Sequence, residues 1–264
     1  MNKQSGSLIV VGTGIKFLSH LSIAALTYIK QSDKVLYSVN DPVMQDWIRK
    51  NNANTESLSS FEGIHPSRFS CYRAMTNYIL ENVRQGLHLC VVFYGHPTVF
   101  AKAALDAAIE AKQANYFTEV LPSISSEDCL FADLLIDPGS HGCQSYEATD
   151  FLIRHRKTDP TSHLILWQVG MIGALGDLKS HDNTKGVALL FKYLINFYTH
   201  KHVVVSYEAS LYPYIEPTVH KFPLSNLPHT KFSSLSTLYI PPISNAKIDR
   251  AILEILNINI DDMQ

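Results

Sequence analysis

The sequence predicts an α/β protein of two domains, 1–122 and 123–264. Three observations predict it. Short apolar runs alternate with helix-patterned stretches through the first 121 residues. The texture changes after Pro122, with prolines gathered at 213, 217, 223, 228, 241 and 242. At 264 residues the chain can bury most of its apolar surface without disulfide or metal staples.

The elements follow in order. Leu8-Ile9-Val10-Val11-Gly12 is an apolar run ending in glycine, the pattern of a buried strand entering a tight turn. Ser22 to Ser32 reads as a helix with Ile23, Leu26 and Ile29 on one face. Lys34 to Val39 is a second strand, and Asp41-Pro42 opens a helix, because proline suits the first helical turn. Arg68 to Gln85 carries Phe69, Tyr72, Met75, Ile79 and Val83 at helical spacing, with Gly86 as its stop. Leu87 to Tyr94 is a central strand, a helix follows from about Ala101, and Phe117 to Leu121 is another strand. This alternation predicts a mostly parallel sheet with helices on both faces. Beyond Pro122, strands are expected at His163–Val169, His202–Tyr207 and Leu235–Ile240. A long helix is expected at Asn183–Tyr198 and a closing one at Asn245–Leu256.

Composition narrows the function classes. Charged residues are 17% and the net charge is −2, which opposes disorder and gives no electrostatic footprint for nucleic acid. No apolar run approaches the ~20 residues of a membrane helix, and Met1 to Ser7 carries no secretory signal, so a cytoplasmic protein is expected. Cys71, Cys90, Cys129 and Cys143 form no CxxC pair, and Cys90 reads as a small core residue. His200 and His202 share a strand face without a third ligand nearby, so no metal is expected.

Three loops could carry chemistry. Gly12-Thr13-Gly14 follows the first strand, but the third glycine of a dinucleotide fingerprint would fall on Phe17, so that reading is rejected. The turn still stands at a strand's carboxyl end, where open α/β sheets place ligands. Tyr94-Gly95-His96-Pro97-Thr98-Val99-Phe100 is a shaped turn, equally consistent with ligand approach and with plain packing. In Leu121 to Asp128, Ser125 or Ser126 either caps a helix or lines a crevice.

Taken together in this order and spacing, the loops resemble the tetrapyrrole methylase superfamily (class III methyltransferases). Within it the sequence is most similar to the borosin peptide backbone α-N-methyltransferases, of the split bacterial type. Further marks are Glu127-Asp128-Cys129-Leu130, Ile136-Asp137-Pro138, Tyr146-Glu147-Ala148, Trp167-Gln168-Val169-Gly170 and Ser236 to Pro242. His96 stands where most of the wider superfamily has Asp. The resemblance implies two α/β domains with S-adenosylmethionine in the cleft between them, S-adenosylhomocysteine as product, and a homodimer. It implies cofactor contacts from Tyr94, Gly95, His96, Pro97, Val99, Phe100, Ser125, Ser126, Gln168, Tyr207, Ala209, Ser236 and Thr237.

Amide nitrogen is a poor nucleophile because its lone pair is delocalised into the carbonyl. Methylating it requires weakening the N–H and stabilising charge on oxygen. Arg68 and Tyr72, four apart on one helix, can point at one site. Spacing alone favours a solvated arginine beside an apolar stripe, whereas the resemblance makes them the catalytic pair. Glu62 stands where the family carries a tyrosine implicated in deprotonation, and a buried carboxylate could serve as base there, with His65 in reserve. Ser123 replaces a usual glycine.

Little sequence follows Pro242, which leads to the expectation of a separate precursor peptide acting in trans, in a 2:2 assembly with the homodimer. Two alternatives remain: a small-molecule, tetrapyrrole-type methyltransferase, and a catalytically silent peptide-binding homologue.

Overall fold

The computed structural model describes residues 5–64, 67–174 and 182–263. Ser7–Gly12 (β1) is buried at every position. It pairs in parallel with His88–Phe93 (β4) on one side and Phe117–Val120 (β5) on the other. Lys34–Ser38 (β2) pairs in parallel with β4, and Thr55–Ser57 (β3) with β2, giving the order β3-β2-β4-β1-β5. A sheet covered on both faces needs near-continuous apolar strands, which β1 and β4 provide.

Strand alternation sorts the core into two layers. Ile9, Val11, Val35, Tyr37, Cys90 and Val92 face Ile23–Gln31 (α1) and Pro42–Asn51 (α2), where Ala25, Ile29, Met44 and Ile48 are buried. Leu8, Val10, Leu36, Leu89 and Val91 face Arg68–Arg84 (α3) and Lys102–Gln113 (α4). The alanines of α4, at 103, 104, 107, 108 and 111, are all buried. The stripe of α3 differs from the expected one. It runs Cys71, Met75, Ile79 and Val83, while Phe69 is 70% exposed. Phe69 lies about 200° around the helix from Cys71, so it cannot share that face.

Contacts divide the chain into two units, the first reaching Ile136, past the expected break at Pro122, and including Glu208–Thr218. Leu121 N–H still donates to Val10 O, so the first sheet's ladder runs on into the segment before Ser126–Leu134 (α5).

The second unit has its own sheet. Cys143–Glu147 (β6) is parallel to His163–Trp167 (β7), and Thr237–Ile240 (β10) is antiparallel to β7 and to Val203–Glu208 (β8). Thr218–Pro223 (β9) completes the order β6-β7-β10-β8-β9. β6 and β9 are absent from the sequence expectation, being short and mostly polar. Pro138–His141 (α6) precedes β6. Ala148–Ile153 (α7) and Thr184–Leu194 (α8) cover this sheet with Phe151, Val187, Leu190 and Leu194. The helix α8 stops short of the expected Tyr198. The closing helix, Arg250–Leu256 (α9), buries none of its side chains. No helix among the described residues is long and apolar enough to cross a membrane.

Candidate active site

Parallel pairing puts the carboxyl ends of β1 and β4 side by side, with Gly12 opposite Phe93. Their loops then lock together. Thr13 N–H donates to Phe93 O at 2.9 Å, and Gly14 and Gly95 exchange backbone hydrogen bonds of 3.2 and 3.1 Å. Gly14 and Gly95 adopt φ of +66° and +69°, a region glycine enters without cost. A Cβ on Gly12 would stand 2.1 Å from Gly95 O, 2.7 Å from Ser123 Cβ and 2.9 Å from Pro97 Cδ. Gly12 is therefore the point where all three motif loops meet. Ser123 Oγ donates to Gly12 O at 3.3 Å, so serine in place of glycine ties the third loop to the first.

Within the second loop, His96 Nδ1 accepts from Thr98 N–H at 3.2 Å, which shapes the Gly-His-Pro turn. Val99 and Phe100 are exposed, and Phe100 holds a left-handed φ of 55°. Burial, with a smaller contribution from Cys129, pushes the Tyr94 phenol up to about 12. Tyr94 thus stays a neutral hydroxyl beside the turn. Ser125 caps α5. Its Oγ accepts from Glu127 N–H (3.2 Å) and Asp128 N–H (3.3 Å), and donates to Asp128 Oδ2 at 2.6 Å. The capping reading of this loop is the one seen: Ser125 is the cap, and Ser126 opens the helix half-buried at its positive end.

His20 was not singled out by the sequence. Its Nδ1 accepts from Ile15 N–H (3.3 Å) and Lys16 N–H (3.2 Å), closing the Gly12 turn. Burial, then Lys16, lowers its pKa against the opposing pull of Asp133 and Asp128. The only signal was a histidine six residues after Gly14, which carries no local pattern.

The helix α3 returns antiparallel to β4, so its amino end lies at the carboxyl end of the first sheet. Ser67 and Ser70 cap that end reciprocally. There Arg68 Nη2 donates to Tyr72 OH at 3.0 Å, with its guanidinium 5.8 Å from the ring centre. Tyr72 packs half-buried against the cluster holding Phe93 and Ala101. Glu62 is exposed at the end of the turn Leu58–Phe61, its N–H on Ser59 O at 3.0 Å. No hydrogen bond or ion pair joins its carboxylate to a described residue. Its charge is felt by the Cys71 thiol, which burial and then Glu62 push up. His65 lies outside the described residues.

The second unit gathers Gln168, Tyr207, Ser236 and Thr237 at one end of its sheet. Val169 N–H donates to Ser236 O at 3.2 Å, and Thr237 pairs with Tyr207. Gln168 takes φ 56° and ψ 36°, a left-handed backbone. Tyr207, Ser236 and Thr237 are almost fully buried. Ala209 follows β8 and groups with the first unit.

Residues 7–211 match the model of the Tetrapyrrole (Corrin/Porphyrin) Methylases. The chain belongs to that family. Similar solved structures are uroporphyrin-III C-methyltransferase from Thermus thermophilus (TM-score 0.64, 16% identity, 89% of this chain and 92% of that one) and diphthine synthase (TM-score 0.63, 14% identity, 91% of each). These show the fold. A protein of Gymnopus fusipes named a methyltransferase/ribosomally synthesized cyclic peptide gymnopeptides precursor is 41% identical over 91% of this chain and 58% of its own length. One of Dendrothele bispora, named likewise for dendrothelin A, is 40% identical over 95% of this chain and 61% of its own. A type I borosin precursor of Mycena rosella is 34% identical over 97% of this chain and 65% of its own. The chain thus spans about three fifths of the length of the first two. Their names join methyltransferase and precursor in one polypeptide. This overturns the expected separate precursor in trans and the split bacterial assignment; the likeness is to the fused type.

Proposed function

We propose that this tetrapyrrole methylase chain transfers methyl groups from S-adenosylmethionine to backbone amides of a borosin-type ribosomal peptide carried, as in its relatives, on the same polypeptide. The single observation that carries the reading is the Arg68–Tyr72 hydrogen bond at the carboxyl end of the first sheet. Tyr72 oxygen accepts from the guanidinium, so its own proton is directed elsewhere. A peptide carbonyl oxygen placed there would receive a donor polarised by a full positive charge. Drawing amide density onto that oxygen acidifies the N–H, and loss of that proton to solvent water leaves the nitrogen pair that takes the methyl.

The residues present fit the cofactor. The loops at the ends of β1 and β4 present glycine backbone and neutral hydroxyls, and Gly95 has only Ile15 Cδ1, at 3.4 Å, near its absent side chain. Within the first unit the cofactor would be held by the Tyr94–Phe100 loop, Ser125, Ser126 and Ala209; Gln168, Tyr207, Ser236 and Thr237 of the second unit are cofactor residues by motif position. When bound it supplies an electrophilic methyl on sulfonium sulfur. Tyr94, neutral like any tyrosine near pH 7, adds a hydrogen-bonding group without a competing charge.

The test is mass spectrometry of this chain joined at its carboxyl end to the precursor segment of the Gymnopus relative, co-expressed in bacteria. Mass increments of one methyl on backbone nitrogens are expected. A fusion that binds S-adenosylhomocysteine yet leaves the peptide unmodified refutes the peptide reading.

A further inference from the structure

Between β8 and β9 the chain runs through Ala209 to Pro217, and this segment packs within the first unit. Two bonds hold it there. Phe17 N–H, just past the Gly12 turn, donates to Leu211 O at 2.8 Å. Tyr212 OH donates to Asp41 Oδ1 at 2.9 Å. The Phe17 and Tyr212 rings pack at 6.3 Å. Ser210 stiffens the segment, donating to Tyr212 O at 2.9 Å and accepting from Tyr212 N–H at 3.4 Å. Leu211 closes a cavity of about 10 Å³ together with Thr13, Asp41 and Tyr94, a volume fit for about one water and no ligand. The segment therefore sits against the β1 and β4 loops themselves.

We propose that Asp41 and Tyr212 form a latch that positions the 208–217 segment on the first sheet's carboxyl end and so sets the affinity for S-adenosylmethionine. The proposal rests on the cofactor reading above. Ala209 lies three residues from the latch, so release of Tyr212 frees the backbone that carries it, while Tyr207 stays in the β8 ladder. Asp41 is fixed independently: its Oδ1 also accepts from Val43 N–H at 3.1 Å as the cap of α2. Tyr212 is thus a positioning residue fastened to a rigid helix end rather than to another loop. Tyr214, at φ 63° and fully exposed, marks the segment's outer turn.

The experiment is calorimetric titration of S-adenosylhomocysteine into the chain and its variants Tyr212→Phe, Asp41→Ser and the double. Serine keeps the α2 cap but is too short for Tyr212. Each single variant should weaken binding about five-fold or more, the effect of one charged hydrogen bond, with melting temperature little changed. The double should be no weaker than the worse single, because both remove the same bond. Asp41→Asn, which retains an acceptor, should restore most of the affinity. Limited chymotrypsin digestion supplies a readout without ligand: cutting after Tyr214 should quicken in both single variants. Should Tyr212→Phe fail to fold, Asp41→Ser against Asp41→Asn carries the comparison. Wild-type binding with unchanged affinity in the variants overturns the latch alone. Absent wild-type binding overturns the cofactor reading, and the latch's role with it.

Discussion

The first sheet is parallel throughout, whereas the second is mixed, and the two gather their candidate residues by different means. In the first, every strand exits at the same end, so the loops after β1, β4 and β5 meet by topology alone. In the second, β10 enters where β7 and β8 leave, so Gln168, Tyr207, Ser236 and Thr237 meet only through antiparallel register. The loops after β1 and β4 turn on Gly14 and Gly95 at positive φ; the loop after β7 turns on Gln168 at φ 56°. Left-handed backbone costs a non-glycine residue about 1–2 kcal/mol, so that conformation is held by its surroundings.

The largest effect should fall on the first unit. Arg68→Ala should lower the methyl-transfer rate on the peptide by about 10²–10³, the loss typical of one oxyanion-type donor. Tyr72→Phe should follow at about 10–10² on the same grounds. Both should leave S-adenosylhomocysteine affinity within about two-fold, since neither belongs to the cofactor set. Glu62→Gln, at an exposed carboxylate with no ion pair to a described residue, should change the rate by less than about three-fold, the scale of a surface substitution. Single-turnover mass spectrometry separates these outcomes. A Glu62→Gln loss rivaling that of Arg68→Ala would reinstate the carboxylate as base.

A middle-sized effect distinguishes the two turn chemistries. Gln168→Gly should raise unfolding stability by about 0.5–1 kcal/mol through relief of left-handed strain, partly offset by unfolded-chain entropy. It should weaken cofactor binding at the same time, because the side chain is lost. Gly95→Ala should do the opposite to stability, lowering it by about 1–2 kcal/mol at φ +69°. Urea melts read both. If Gln168→Gly destabilises, the left-handed turn is not a strained one.

This contrast explains what was legible in the sequence. The strands β1, β2 and β4 announce themselves as apolar runs, β5 completes the strand–helix alternation, and Gly12, Gly86 and Pro42 mark the turns. Helical spacing puts Arg68 and Tyr72 within reach of one site, and only the family resemblance singles them out as a pair. The second unit speaks less clearly. β6 and β9 are short and half polar, and their strand character comes from partners far along the chain. Phe69 was placed on the wrong face because an apolar residue in a helix's first turn fits the period without having a core to meet. Glu62 could serve as a base if burial raised its pKa, and the structure leaves it exposed. His20 and the Tyr212–Asp41 bond were invisible, since each depends on a side chain reaching a backbone or acid that only the fold brings near.

The smallest effect sharpens the comparison through pH. Burial lowers the pKa of His20 in the first unit and of His163 in the second, with Lys16 and His141 respectively adding to it. A histidine whose folded pKa lies below its unfolded value of about 6.5 binds more protons when unfolded. Its contribution is full above that pH and is lost as pH falls through the window down to the folded pKa. The structural consequences differ between the units. Protonated His20 can no longer accept from Ile15 and Lys16, so the first unit forfeits two backbone hydrogen bonds at the Gly12 turn. His163 Nδ1 faces Tyr239 OH at 2.8 Å, and a hydroxyl can rotate from donating to accepting. On lowering pH from neutrality, amide exchange should therefore quicken around Ile15 and Lys16 before it does around β7. His20→Gln, with a side-chain oxygen that accepts at any pH, should flatten the first response and leave the second. Equal sensitivity in the two segments would mean that the turn is held by Gly14 and Gly95, and that His20 merely fills space beside it.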